Sequence, residues 1–216
     1  MTDTLQNYTL EISKEELADL PVVEYTNGVK VVNTAAELAK AIKILKKYDL
    51  LGFDTETKPI FKKGATSHVS LIQIATKDVC FLIRTKKIKD IEPLREILED
   101  SHILKIGLSL HDDFNTLSHD FNFHPQGFVD LQKIVPLYNF SDVGLQKIYA
   151  ILFGERISKS QRLSNWNADE LTDAQISYAA IDAWACIRIY EKLSDAGFDP
   201  ASCKFKKYIA EETDEN

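Results

Sequence analysis

Leu50-Leu51-Gly52-Phe53-Asp54-Thr55-Glu56-Thr57 is the stretch on which the fold turns. An apolar run passes without a break into alternating acids and threonines, and it reads as a strand from Leu50 to Glu56. Working outward, His68 to Ala75 and Val79 to Arg84 are two more strands. The tight polar link Lys77-Asp78 makes them a hairpin. Upstream, Thr34-Ala35-Ala36-Glu37 is a capping box that opens a helix to about Tyr48, with Leu38, Ala41, Ile42 and Leu45 on one face. Val29 to Val32 is a short strand. Ser13-Lys14-Glu15-Glu16 caps a short helix that Pro21 ends. Downstream, helices are expected from Ile91 to Leu98 (Pro93 in the first turn), Leu110 to Ser118, Val143 to Phe153 (stopped by Gly154) and Asp173 to Leu193. Strands are expected from Ile103 to Leu108 and from Phe128 to Leu131. A hairpin followed by strand–helix crossovers is an α/β domain with a mixed central β-sheet flanked by helices. It should span residues 28–194, behind an N-terminal arm (1–27) and ahead of a C-terminal tail (195–216), whose acidic end Glu211 to Asn216 should fray.

Composition narrows the function classes. The 216 residues are 44% hydrophobic and 27% charged, enough to build a full core and incompatible with disorder, collagen or a disulfide miniprotein. The formal charge of −7 is not that of a tight duplex binder, although a basic rim or bound cations reverse the sign of a single cleft. Cys80, Cys186 and Cys203 are scattered and odd in number, which argues against a disulfide framework and for a reducing compartment. With no apolar run of about 18 residues and no signal-peptide pattern, a cytoplasmic location is expected.

Three sets of acids stand in apolar surroundings. Asp54 and Glu56 are two apart on a strand and share a face, where two carboxylates repel unless a cation lies between them; a solvated strand end is the alternative. Ile176 to Tyr190 reads ISYAAIDAWACIRIY, a helix apolar almost all round in which Asp182 and Arg188 are the charges. Asp182 therefore needs a partner. Tyr178 at i−4 shares its face, whereas Arg188 at i+6 does not; a buried salt bridge is the alternative. In Leu110 to Leu117 the buried stripe is Leu110, Phe114 and Leu117, so Asp113 borders it and can face inward while Asp112 is solvated. Four inward acids on elements far apart in sequence suit hard divalent cations, Mg²⁺ or Mn²⁺. Two such ions about 3.5–4 Å apart clamp an in-line phosphoryl displacement.

The order Asp54-x-Glu56, Asp113, Tyr178-x-x-x-Asp182 resembles the DEDDy signature of 3′–5′ exonucleases, the class of ribonuclease D and of the Werner syndrome protein exonuclease domain. The surrounding text matches too: Phe53 to Thr57 leads to Val69-Ser70-Leu71-Ile72-Gln73-Ile74-Ala75, Gly107 precedes Asp113, and Ser164-Asn165-Trp166 precedes Leu171 to Gln175 and Tyr178 to Ala183. The resemblance covers about residues 28–194. It implies a ribonuclease H-like fold and a two-metal hydrolysis that releases nucleoside 5′-monophosphates from DNA or RNA 3′ ends, single-stranded or with recessed or overhanging termini. It gives Asp54 the bridging place, Glu56 and Asp182 the side of the attacking water, Asp113 the second metal mainly through its waters, and Tyr178 the task of orienting or deprotonating the water. The helical repeats that follow the exonuclease in ribonuclease D are not found here, nor is a GxxxxGK[ST] loop, so a catalytic module alone is expected. A rival reading is a catalytically inactive nucleic-acid-binding or adaptor module on the same fold; all five signature positions being filled counts against it.

Further candidates are less specific. A backbone amide or hydroxyl of Thr55 or Thr57 suits the terminal 3′-OH, and a plain strand-to-turn role suits them equally. Lys159, Arg162 and Trp166 offer phosphate contacts and a stacking or packing ring. Lys62-Lys63 and Lys86-Lys87-Lys89 could form a basic rim or a solvated run. Asp130 reads as a supporting group. His102, His111, His119 and His124 cluster without any zinc-motif spacing, and His111 borders the cleft.

Overall fold

The computed structural model describes residues 7–59 and 66–209; Lys62, Lys63 and the Glu211–Asn216 tail lie outside the described residues. In chain order the elements are β1 (Tyr8–Leu10), α1 (Lys14–Ala18), β2 (Gly28–Val32), α2 (Ala35–Leu45), β3 (Leu50–Thr57), β4 (Val69–Ala75), β5 (Val79–Arg84), α3 (Arg95–Leu98), β6 (Leu104–Gly107), α4 (His111–Phe121), β7 (Phe128–Asp130), α5 (Leu131–Ile134), α6 (Leu145–Phe153), α7 (Asp173–Ser194) and β8 (Lys206–Tyr208).

Six strands form the mixed sheet that the sequence led us to expect, in the order β2-β5-β4-β3-β6-β7. β4 and β5 are the expected antiparallel hairpin, β3 is antiparallel to β4, and the outer pairings β2–β5, β3–β6 and β6–β7 are parallel. All seven residues of β4 are buried, as a strand covered on both faces requires. One face packs on α2, α3 and α4 through Leu38, Phe53, Ile72, Leu110 and Leu117. The other carries α7 through Leu71, Ala75, Leu82, Ala179 and Ala183.

Both predicted capping boxes are present, at Ser13/Glu16 and Thr34/Glu37, and Thr172/Gln175 makes a third that starts α7. α2 stops at Leu45, three residues short of Tyr48, and most of the expected Ile91–Leu98 helix is a 3₁₀ turn followed by one turn of α3. The segments read as arm and tail are not loose where they are described. β1 pairs antiparallel with β8, and Leu10, Ile12, Val23 and Phe205 are buried against α6 and α7. Three-residue strands at opposite ends of a chain carry too little pattern to be legible in sequence.

The local geometry of β3 and α7 matters most. Gly52 lies where α7 crosses the strand. A Cβ on Gly52 would stand 1.9 Å from the Ala183 carbonyl oxygen. This backbone-to-backbone approach sets Asp54, two residues further along β3, beside Asp182 on the helix. At the other wall, Asp130 accepts hydrogen bonds from the amides of Ser109 (2.8 Å), Leu110 (3.2 Å) and Gln132 (3.0 Å). It thereby holds the turn at Ser109, whose φ is +63°, and aims α4 into the cleft. Asp130 is thus a support for the site, as its place at a strand end suggested.

Candidate active site

Asp54, Glu56 and Asp182 present carboxylate oxygens all within 4.8 Å of one another. Strand alternation puts the first two on one face, and the close crossing at Gly52 brings the third. Asp113 stands slightly apart: the Thr55 hydroxyl donates to its Oδ1, bridging β3 to the first turn of α4. Its neighbour Asp112 is exposed, as the helical wheel requires. Tyr178, one turn before Asp182, turns its phenol toward Asp182 and Glu56.

The electrostatics are those of a site built for cations. Burial, then the charges of Asp182, Asp113 and Glu56, pushes the Asp54 carboxyl far above the usual range. Burial and the charges of Asp182 and Asp113 raise Glu56 to about 8, although the nearby Trp166 indole works to lower it. Burial also raises Asp182, 7% exposed, against the opposing pull of the Tyr178 hydroxyl and the Lys159 ammonium. Burial raises Asp113 in the same way, while the Thr55 hydroxyl opposes it. Four carboxylates taken from water with one nearby ammonium remain under strong mutual repulsion. An all-oxygen, anionic donor set of this kind fits hard divalent cations.

This repulsion makes stability depend on pH. In the unfolded chain these acids ionise near pH 4 (about the free-peptide value). In the metal-free fold Glu56 holds its proton until about pH 8. The unfolded state thus releases protons first, and stability falls as pH rises through that window. The melting temperature measured in EDTA is expected to drop between pH 5 and 8, and added Mg²⁺ or Mn²⁺ to restore it. A flat profile in EDTA would contradict the repulsion.

The other predicted residues divide. Lys159 is exposed yet near enough to pull down both Asp182 and Asp142, so its ammonium overlooks the cleft. Arg162 is exposed on the same loop. The register shifts at a bulge between Glu56 and Thr57, and Thr57 makes the last pair with β4, opposite Val69. His111 is exposed and meets Asn115 at 3.2 Å. Lys87 pairs with Asp169 at 3.2 Å. Trp166 is a correction to the substrate-binding set: it is 1% exposed, with its ring 6.0 Å from that of Tyr178, so no face is free to stack on a base. It packs instead among Leu71, Leu82, Ala179 and Ala183, on the α7 side of the sheet. Arg84, at the end of β5, clamps its loop by donating to the carbonyls of Ala168 and Asp169, the latter at 2.7 Å.

Sequence reasoning missed Gln73. It pairs directly with Asp54 across β3 and β4, and both its side-chain amide atoms are buried without a hydrogen-bond partner. Its signal was available, as a polar residue in the middle of the apolar run Leu71 to Ala75.

The family model described as 3′–5′ exonuclease matches residues 29–197. The chain belongs to the 3′–5′ exonuclease family. Among curated proteins it is 32% identical over 200 residues to the bifunctional 3′–5′ exonuclease/ATP-dependent helicase WRN of Mus musculus, covering 86% of this chain and 14% of that protein. It is 32% identical over 175 residues to exonuclease 3′–5′ domain-containing protein 2 of Drosophila melanogaster, covering 79% of this chain and 30% of that one. The chain therefore spans less than a third of either relative. Escherichia coli RNase D shares the fold at a TM-score of 0.71 with 26% identity, over 77% of this chain and 44% of that one. The Nibbler EXO domain of Aedes aegypti does so at 0.73 with 23% identity, over 83% and 96%. The ribonuclease H-like fold of this exonuclease family is thus the one observed. Among the described residues no helix is long and apolar enough to cross a membrane.

Proposed function

We propose that this chain is a metal-dependent 3′–5′ exonuclease that removes nucleotides from nucleic-acid 3′ ends as nucleoside 5′-monophosphates. The observation that carries the reading is the convergence of Asp54, Glu56 and Asp182 within 4.8 Å in a member of this family, with Asp113 and Tyr178 at the edges of the group.

Two divalent cations, Mg²⁺ or Mn²⁺, held by these carboxylates would supply Lewis-acid activation of water and neutralise charge at the scissile phosphate. Asp54 is the central holder, since it feels Asp182, Glu56 and Asp113 together. Glu56 and Asp182 form the side on which the attacking water is held. Asp113, oriented by the Thr55 hydroxyl, serves the side of the departing 3′ oxygen. Tyr178 turns its hydroxyl toward Asp182, close enough to Glu56 to feel its charge, and there it orients or deprotonates that water. Lys159 faces the incoming phosphate, and Arg162 on the same exposed loop contacts the backbone further along. The Thr55 hydroxyl is engaged by Asp113, so its backbone and Thr57 at the bulge are the groups left to meet the terminal sugar.

The substrate is a DNA or RNA 3′ terminus, single-stranded or with an overhanging or recessed end. The relatives' names include both a ribonuclease and an exonuclease joined to a helicase. Matched 5′-labelled DNA and RNA strands, incubated with Mg²⁺, Mn²⁺ or EDTA, test the reading. A metal-dependent ladder shrinking from the 3′ end and absent in Asp54→Ala is expected, and the faster polymer names the substrate. Retained binding of single strands with no ladder on either polymer would instead make this a binding module.

A further inference from the structure

A second group of potential ligands converges away from the cleft. His68, directly before β4, meets His119 and Asp120 in the last turn of α4, and one ligand atom from each lies within 4.8 Å of the others. We propose that His68, His119 and Asp120 form a separate site for a borderline transition-metal ion of the Zn²⁺ class, with a water in the fourth position.

The geometry is that of a three-ligand centre around an anchored carboxylate. Asp120 Oδ1 meets the Nδ1 atoms of His68 at 2.7 Å and His119 at 2.9 Å. Its other oxygen accepts the Val69 amide at 2.8 Å, which fixes the carboxylate as outer hydrogen bonds fix metal ligands. The Asp120 side chain is only 6% exposed, whereas those of His68 and His119 are 50% and 61% exposed. A buried anion is thus covered by two rings with solvent on the open side. Both Nδ1 atoms meet the same Asp120 oxygen, so the two nitrogens already approach one point, with the rings tilted by 41° and their centroids 5.8 Å apart.

The chemistry selects the ion. Two imidazoles and one carboxylate suit Zn²⁺ and its neighbours, while Mg²⁺ prefers oxygen alone. Three protein ligands with an open fourth position are a common zinc arrangement. An ionised carboxylate only accepts hydrogen bonds, so in the metal-free protein the Nδ1–H of each ring donates to Asp120. A metal held at both Nδ1 atoms would leave the ring protons on Nε2. The negative end of the α4 dipole adds attraction for a cation. Asp120 is seven residues beyond Asp113, roughly 10 Å along the helix, so the two sites are distinct. An ion here would tie the start of β4 to the helix that carries Asp113. Histidine spacing alone had no way to show it, because His68 lies 52 residues before Asp120.

The test is a Co²⁺ titration read by visible absorption, in the Asp54→Ala chain so that the carboxylate cleft is disabled in every arm. Four-coordinate Co²⁺ with imidazole ligands absorbs far more strongly than octahedral Co²⁺ with oxygen ligands. We expect an intense band that saturates at one equivalent, is displaced by Zn²⁺ and not by Mg²⁺, and accompanies a Zn²⁺-dependent rise in melting temperature. His68→Gln and His119→Gln should each weaken Co²⁺ binding at least ~10-fold. Far-UV circular dichroism and the melt without metal show that each variant folds; if one does not, the other carries the comparison. No band at millimolar Co²⁺, or a band unchanged in the folded histidine variants, would overturn the site and leave the triad as a hydrogen-bonded clamp.

Discussion

Asp182→Asn is expected to lower exonuclease activity at least ~10³-fold while making the metal-free protein more stable. Asn keeps the size and shape of the side chain, so α7 still packs on β3. It cannot offer the anionic oxygen that the proposed chemistry needs next to Glu56 and Asp54. Asp182 is 7% exposed, and burial raises its carboxyl, so the native charge is held against its own desolvation. Removing it also relieves Asp54 and Glu56, both of which it pushes upward. A tenfold change in proton affinity corresponds to about 1.4 kcal/mol, so relief on the order of 3 kcal/mol is expected at pH 8. That is a rise in melting temperature of roughly 6–12 °C in EDTA for a chain of this size. The gain should shrink at pH 5, where the native carboxyl keeps its proton, and should vanish or reverse in saturating Mn²⁺. Scanning calorimetry of both proteins with and without metal measures this. A destabilised variant at pH 8 in EDTA would mean that Asp182 is a structural acid and not a member of a cation site.

The second large effect is expected at a residue that carries no charge of its own. Gly52→Ala should reduce activity about 10²-fold or more with every carboxylate in place. The new Cβ would stand 1.9 Å from the oxygen and 2.8 Å from the carbon of the Ala183 carbonyl. Neither side of that contact is a side chain that can rotate away. α7 must lift from β3 by about 1 Å or more, and a misplacement of that size is enough for a loss of this order. Overpacking should also cost about 1–3 kcal/mol, read as a lower urea midpoint. Gly28→Ala is the control, since its added Cβ would find nothing nearer than the Val79 Cγ2 at 3.8 Å. An active, stable Gly52→Ala protein would show that the Asp54–Asp182 geometry does not depend on this crossing.

The candidate site was unusually legible because its acids break local rules. Asp182 interrupts an apolar helix, and Asp54 and Glu56 end an apolar strand; each violates the burial pattern of its own element, so each is visible within a short window of sequence. The wheel for α4 separated inward Asp113 from exposed Asp112 for the same reason. Trp166 was not separable in this way. A lone tryptophan in a polar loop offers the same text whether it stacks on a base or fills a core, and the residues that bury it, among them Leu71, Leu82 and Ala179, come from β4, β5 and α7. The β1–β8 pair and the contact of His68 with Asp120 were hidden likewise, since each joins segments with no shared periodicity.

By itself the sequence determined the period of each main element, the caps that start α1 and α2, and the acids that could not remain buried alone. These are local quantities, set by side-chain alternation, hydrogen bonds within one turn and the cost of desolvating a charge. Only the tertiary structure decided which of those acids meet, how close α7 comes to β3, which ring is enclosed and which histidines face one another. Those outcomes depend on distances between elements, and such distances are fixed by backbone contacts like that of Gly52 with Ala183, where what matters is an atom the residue lacks.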